Sequence, residues 1–208
     1  LETVAQTKPH HYPDAWSHTL VTLTSLEMIL AQLEGLSYPT QHQSWIPSAP
    51  QWAWDMLANI LAPIQPKVLA YLAETTNVDM PYAKLLQWGA LFHDVGKVST
   101  RTVDAQGLAH FYGHAHTGAE LTQSRLEALH FPKKALLYVS TLVEAHMRLI
   151  SLTKRSPTRR AVYRFYRATD NAGVGVILLA LADALAVWGS KLSRNYWQRL
   201  LKSADILL

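Results

Sequence analysis

Apolar residues recur at helical spacing along almost the whole chain, and few stretches alternate as a half-buried strand would. Pro13–Asp14 opens a long helix through about Leu33, closed by Gly35 and Pro39. A loop containing Pro, Gln and Ser follows over 37–50. Helical pattern resumes from about Gln51 to Thr76, where Pro63 and Pro66 break it into pieces. Pro81 begins a helix that runs into His93–Asp94. Gly96 lies just past its end, where a left-handed cap is often needed. Val98 to Phe111 reads as a loop. Further helices are predicted from about His114 to Leu129 and from Pro132 to about Ile150. A basic loop with Pro157 leads to another helix near 158–169. Gly173 and Gly175 precede an apolar helix ending at Trp188, and an amphipathic helix closes the chain. No hairpin dipeptide, internal repeat or low-complexity tract interrupts this pattern. The pattern predicts one compact all-α domain over residues 1–208, built of about seven or eight helices.

Composition narrows the chemistry. The chain has 208 residues, 49% of them hydrophobic, so it can bury a substantial core. It has no cysteine, which excludes a disulfide framework and every cysteine-based zinc site. That composition fits a reducing, cytoplasmic setting. Any metal must be held by His, Asp or Glu, and ten histidines make this feasible. Residues 1–14 carry no signal-peptide pattern. The chain begins at Leu1 rather than Met, and is expected to be trimmed or part of a longer protein. Val174 to Trp188 is the longest apolar run. It contains Asp183 and is short for a membrane span, so a buried helix and no membrane partner are expected. Net charge is only +4, but it is unevenly spread. No acid occurs between Glu144 and Asp170, where Arg148, Lys154, Arg155, Arg159, Arg160, Arg164 and Arg167 fall. Such a block is either a solvated helix face or a surface for an anionic partner.

Several residues carry candidate chemistry. Asp183 sits in so apolar a helix that burying it needs a partner, either a basic residue or a metal. His93–Asp94 follows the core-like Leu85, Leu86, Trp88, Ala90 and Leu91, so a buried helix delivers an imidazole and a carboxylate together. Neighbours on a helix point about 100° apart, yet they can converge on one ion where the helix ends. His18, His114 and His146 lie within or at the start of helices. Each alone reads equally as a core or surface histidine. His10, His11, His42, His110 and His130 read as loop or helix-end residues. His116 stands two positions from His114 and cannot share its helix face.

Five stretches in order carry a resemblance. They are Tyr-Pro-Asp-Ala-Trp-Ser-His-Thr-Leu, Leu-Phe-His-Asp-Val-Gly-Lys, Phe-Tyr-Gly-His-Ala-His-Thr-Gly-Ala-Glu, Leu-Val-Glu-Ala-His-Met-Arg and Leu-Ala-Asp-Ala-Leu-Ala, spanning residues 12–186. Together they resemble the HD-domain superfamily of metal-dependent phosphohydrolases. More narrowly, they are similar to the HD domain attached to bacterial tRNA nucleotidyltransferases and poly(A) polymerases. Residues 41–76 match nothing in that pattern and read as an insertion. The resemblance implies an HD-type helical bundle. It implies His18, His93, Asp94 and Asp183 as core metal ligands, His114 and His146 as ligands of a second ion, and Asp94 as the bridge.

The function expected on this basis is hydrolysis of a phosphoester by metal-activated water. The cofactor would be one or two divalent transition-metal ions, Mn, Fe, Co, Ni or Zn, with Mg also compatible. Asp94 and Lys97 are the candidate catalytic residues. Lys97 would meet a phosphate oxygen, or else is a solvated charge at a helix end. Arg148, Arg159 and Arg160 are candidate substrate-binding residues, suited to bidentate phosphate contacts. The expected partner is a phosphorylated small molecule or nucleotide, with RNA a further candidate through the 148–167 block. Two other classes remain open: a non-catalytic RNA-binding module with a structural metal, and a hydrolase of nucleoside polyphosphates used in signalling. No Gly-Ser pair followed by closely spaced aspartates occurs, so nucleotide polymerisation is not expected of these 208 residues.

Overall fold

The computed structural model describes residues 14–36, 48–75 and 80–208. His10, His11, His42 and most of the 37–50 loop lie outside them. Helix α1 (Ala15–Leu33) starts where the Asp14 carboxylate accepts hydrogen bonds from the Ser17 backbone N–H at 2.7 Å and the Ser17 hydroxyl at 3.0 Å. Helices α2 (Gln51–Leu61) and α3 (Gln65–Ala73) are separated by a 3₁₀ turn at Ala62–Ile64, with Pro63 and Pro66 in the first turns that follow. Then come α4 (Tyr82–Phe92), the single turn α5 (Lys97–Thr100), α6 (His114–Ala128), α7 (Lys133–Ala145) and the short α8 (Arg148–Leu152). The chain ends with α9 (Arg159–Thr169), α10 (Gly173–Trp188) and α11 (Arg194–Leu207). With α2 and α3 taken as one broken helix, eight of these exceed two turns among the described residues. The all-α bundle expected from periodicity is therefore the observed one.

Helix α10 is the axis of the core. Every residue from Val176 to Ala186 is buried, Asp183 included. It packs against α1, α4, α7, α8, α9 and α11. The helical stretch Arg159–Lys191 is apolar and long enough to cross a membrane, but 83% of its apolar window is covered by the protein itself. The α2–α3 segment also enters the core, through Trp54, Leu57, Leu61, Val68 and Leu72. The Trp197 indole of α11 donates to the Ala53 carbonyl at 3.0 Å, tying α2 down.

Three local expectations differ from the structure. The 98–111 loop contains α5 and a small antiparallel hairpin, β1 (Thr102–Val103) with β2 (Ala109–His110). Asp104 shapes its turn by accepting from the Gln106 N–H at 3.0 Å and the Leu108 N–H at 2.8 Å. A side chain thus supplies a turn that no hairpin dipeptide announces. The helix expected from Pro132 to Ile150 is interrupted at His146–Met147, so that α7 and α8 are separate. Finally, Gly96 is not left-handed: its φ is −68°. A Cβ there would lie 2.1 Å from the His114 carbonyl oxygen and 2.6 Å from the Gly118 nitrogen. Close approach of α5 to α6, not backbone conformation, requires glycine.

Candidate metal centre

Four helices bring donors to one place. His18 projects from the second turn of α1, and Asp183 from the middle of α10, which packs beside α1. His93 caps the C-terminus of α4, and His146 caps that of α7. Asp94 follows directly on His93, and His114 opens α6. The last carbonyls of a helix lack intrahelical partners, and its C-terminal end carries negative potential. Both consequences are used here. His93 Nδ1–H donates to the Ala90 carbonyl at 2.8 Å, and His146 Nδ1–H donates to the Val143 carbonyl at 2.6 Å. His114 Nδ1–H donates to the Phe111 carbonyl at 2.8 Å. Each bond commits Nδ1 to the backbone and turns Nε2 inward.

The inward atoms form two clusters. His18, His93 and Asp183 offer ligand atoms all within 4.8 Å of one another, and so do Asp94, His114 and His146. In the first, His18 Nε2 lies 2.9 Å from Asp183 Oδ1 and 3.3 Å from His93 Nε2. In the second, the Nε2 atoms of His114 and His146 are 3.3 Å apart. Asp94 stands between them. Its Oδ2 is 3.4 Å from His93 Nε2 and 3.6 Å from His18 Nε2, while its Oδ1 is 3.6 Å from His114 Nε2.

This donor set fits divalent ions. Metal–ligand bonds of about 2.0–2.2 Å set neighbouring ligands roughly 2.8–3.6 Å apart in tetrahedral or octahedral geometry. All but one of the separations above 2.8 Å quoted within the clusters fall there, as do those to Asp94; His93 Nε2 to Asp183 Oδ1, at 3.8 Å, is slightly longer. Two neutral imidazoles whose Nδ1–H groups both point to the backbone meet Nε2 to Nε2 as acceptor against acceptor. A cation between His114 and His146 would relieve that contact.

The electrostatics are those of a cation site. Burial alone would push the Asp94 carboxyl up. His93, Lys97 and His18 outweigh it and hold Asp94 well below the usual carboxylate range. Asp183 is likewise buried, and its hydrogen bond with His18 keeps it low. Burial disfavours the charged His93, yet Asp94, with Asp183 behind it, raises its imidazole above the ordinary value. His146 moves the other way, down to about 4, through burial and the neighbouring His93. Lys97 is not a solvated helix-end charge. It is buried, with Nζ 2.7 Å from Asp94 Oδ2 and 5.4 Å from the centre of the Phe111 ring.

Asp94, Lys97, His114, His146 and Asp183 line the floor of a cleft of about 460 Å³. Its walls are apolar and aromatic: Phe111 and Tyr112 after the hairpin, Met147 and Ile150 at α8, Trp188 and Tyr196. None of these wall residues stands out in the sequence, although Phe-Tyr-Gly directly before His114 is a local hint. Arg148 and Arg160 do not line the cleft. They line a second pocket on the far side of α8, and Arg159 lines neither. His116 faces outward, exposed, with Nδ1 3.1 Å from Glu144.

An all-α bundle that converges His and Asp from α1, α4, α6, α7 and α10 on a cleft floor defines a protein with clusters able to hold divalent metal. Residues 67–188, more than half of the chain, match the family model of the HD domain. The chain belongs to the HD domain family. The match begins inside the segment read as an insertion and leaves out α1 with His18, which the fold nevertheless brings to the centre. The chain is 36% identical over 119 residues to the CC-adding tRNA nucleotidyltransferase of Thermus thermophilus, covering 57% of this chain and 26% of that protein. It is 44% identical over 64 residues to the A-adding tRNA nucleotidyltransferase of Deinococcus radiodurans, covering 30% of this chain and 15% of that protein. The chain thus spans only a minor part of the length of both relatives.

Proposed function

We propose that this chain is a metal-dependent phosphohydrolase acting on nucleotide-like phosphoesters in the cytoplasm. The observation that carries this reading is Asp94, whose two oxygens face two separate His/Asp clusters at the base of an open cleft. His18, His93 and Asp183 would hold one divalent ion, His114 and His146 a second, with Asp94 shared. When bound, such ions polarise a phosphoryl oxygen and acidify a water. Lys97 keeps Asp94 ionised and lines the cleft, placed to donate to a second phosphoryl oxygen. Overall, water oxygen bonds to phosphorus, the ester P–O bond breaks, and a water proton passes to the leaving oxygen. The apolar walls of Phe111, Tyr112, Trp188 and Tyr196 would receive the organic part of the ester and exclude solvent.

The names of the two relatives support a second reading, an RNA-associated module in which metal is a structural staple. One panel separates the two. Bound metal and phosphate release are measured for phosphomonoesters, 2′,3′-cyclic nucleotides, dinucleotides and nucleoside polyphosphates, with wild type and Asp94→Ala. Hydrolysis that disappears in Asp94→Ala is the expected result. Stoichiometric metal with no hydrolysis of any substrate would favour the structural module.

A further inference from the structure

The second pocket, of about 250 Å³, is lined by Arg148 and Ser151 of α8, by Thr158, and by Arg160 and Arg164 of α9. Helix α8 is the wall between it and the metal cleft. Met147 and Ile150 line the cleft, while Arg148 and Ser151, one position further on each, line the pocket. Among the described residues no carboxylate lies within 4.0 Å of the three guanidinium groups. Three converging cations without a counter-charge make a site for an anion.

Helix α9 adds to this. Thr158 caps its N-terminus, accepting from the Ala161 N–H at 3.3 Å. Its first turn holds Arg159 and Arg160 and no acid. Cations at the positive end of a helix dipole weaken the helix, whereas an anion there gains from the dipole and the free N–H groups. The local sequence thus favours an anion over helix stability. Further along, Arg160, Tyr163, Arg164 and Arg167 fall at i, i+3, i+4 and i+7, on one face. Tyr163 is 65% exposed. Arginines interleaved with an exposed aromatic ring suit a strand with phosphates and bases, since each base offers a face for stacking.

We propose that the Arg148–Arg160–Arg164 pocket is a phosphate subsite for a single-stranded oligonucleotide whose terminal phosphoester lies in the metal cleft across α8. This rests on the phosphohydrolase reading. A helix with its side chains is about 10–12 Å across, so a single nucleotide cannot engage both sides of α8 and a strand of several can.

The test uses the full chain with Mn²⁺. Phosphate release is compared for a 3′-mononucleotide and a five-nucleotide strand bearing a 3′-phosphate, as RNA and as DNA. Strand binding is followed by fluorescence anisotropy across a salt titration. Wild type is expected to prefer the strand by at least about tenfold in kcat/KM, and R148A/R160A/R164A to lose most of that preference. The slope of log Kd against log salt is expected to fall by about 2, at about 0.7 for each lost phosphate contact. Tyr163→Ala is expected to weaken strand binding by roughly tenfold. Preference and slope unchanged in the triple variant would overturn the subsite. An acidic peptide of equal charge that competes as well as the strand would overturn its assignment to nucleic acid. Arginine-dependent strand binding with no hydrolysis of any substrate would uphold the subsite and overturn the phosphohydrolase reading instead. Comparable behaviour of RNA and DNA supports a backbone site, and a preference for RNA adds the 2′-hydroxyl to what is read.

Discussion

Lys97 Nζ lies 2.7 Å from Asp94 Oδ2, with both side chains buried at the mouth of the cluster. The ammonium offsets a carboxylate that would otherwise be stranded among apolar helices. Lys97→Met should therefore lower the stability of the metal-free chain by about 3–5 kcal/mol, the usual effect of breaking a buried pair. It should also make the protein lean harder on a cation. Mn²⁺ is expected to raise the melting temperature of Lys97→Met by more than that of wild type. Equal metal-induced shifts in thermal denaturation would show that Lys97 and the ion do not share Asp94.

Gly96 controls the second cluster from outside it. Its φ of −68° suits alanine, so any penalty comes from the contact a Cβ would make with the His114 carbonyl and the Gly118 nitrogen. Gly96→Ala should push α6 away from α5 and carry His114 off Asp94 and His146. A loss of about 1–3 kcal/mol is expected, as for other overpacked sites. Metal titration should show the His114–His146 site weakened and the His18–His93–Asp183 site retained. Wild-type stability together with wild-type metal binding would refute this role.

Asp104 governs the hairpin that leads into the cleft wall. Hydrogen bonds from His110 and from the Leu108 and Gln106 amides lower its carboxyl below the ordinary value. A group depressed in the folded state stabilises it above the unfolded carboxylate pKa, and that contribution is lost as pH falls through the folded value. Carboxyl NMR titration should place Asp104 below the usual aspartate range, with the Leu108 amide shift moving in step. Titration at or above that range would mean that the turn is not held by this side chain.

Much of the centre was legible because its residues break a pattern. Asp183 interrupts an apolar helix, and burial there demands a cation. His93–Asp94 ends a core helix, and chain order alone relates both to His18, His114 and His146. What escaped the sequence depends on contacts between distant segments. No proline or glycine marks the break at His146, where the ring bonds back to the Val143 carbonyl. Gly96 reads as a cap, but it is a contact point for a helix beginning eighteen residues later. The hairpin is set by Asp104 rather than by a turn dipeptide. The arginine block is visible as charge, but its separation from the metal cleft by α8 follows only from the turn at Met147.

The central claim is that Asp94 is shared by two metal sites. Isothermal titration of the full chain with Mn²⁺, checked by elemental analysis, tests it most directly when wild type is compared with His18→Ala, His114→Ala and Asp94→Ala. Two ions per wild-type chain are expected. Each histidine variant should lose one ion and keep the other, while Asp94→Ala should weaken both together. An Asp94→Ala protein that still binds two ions at wild-type affinity would contradict the claim.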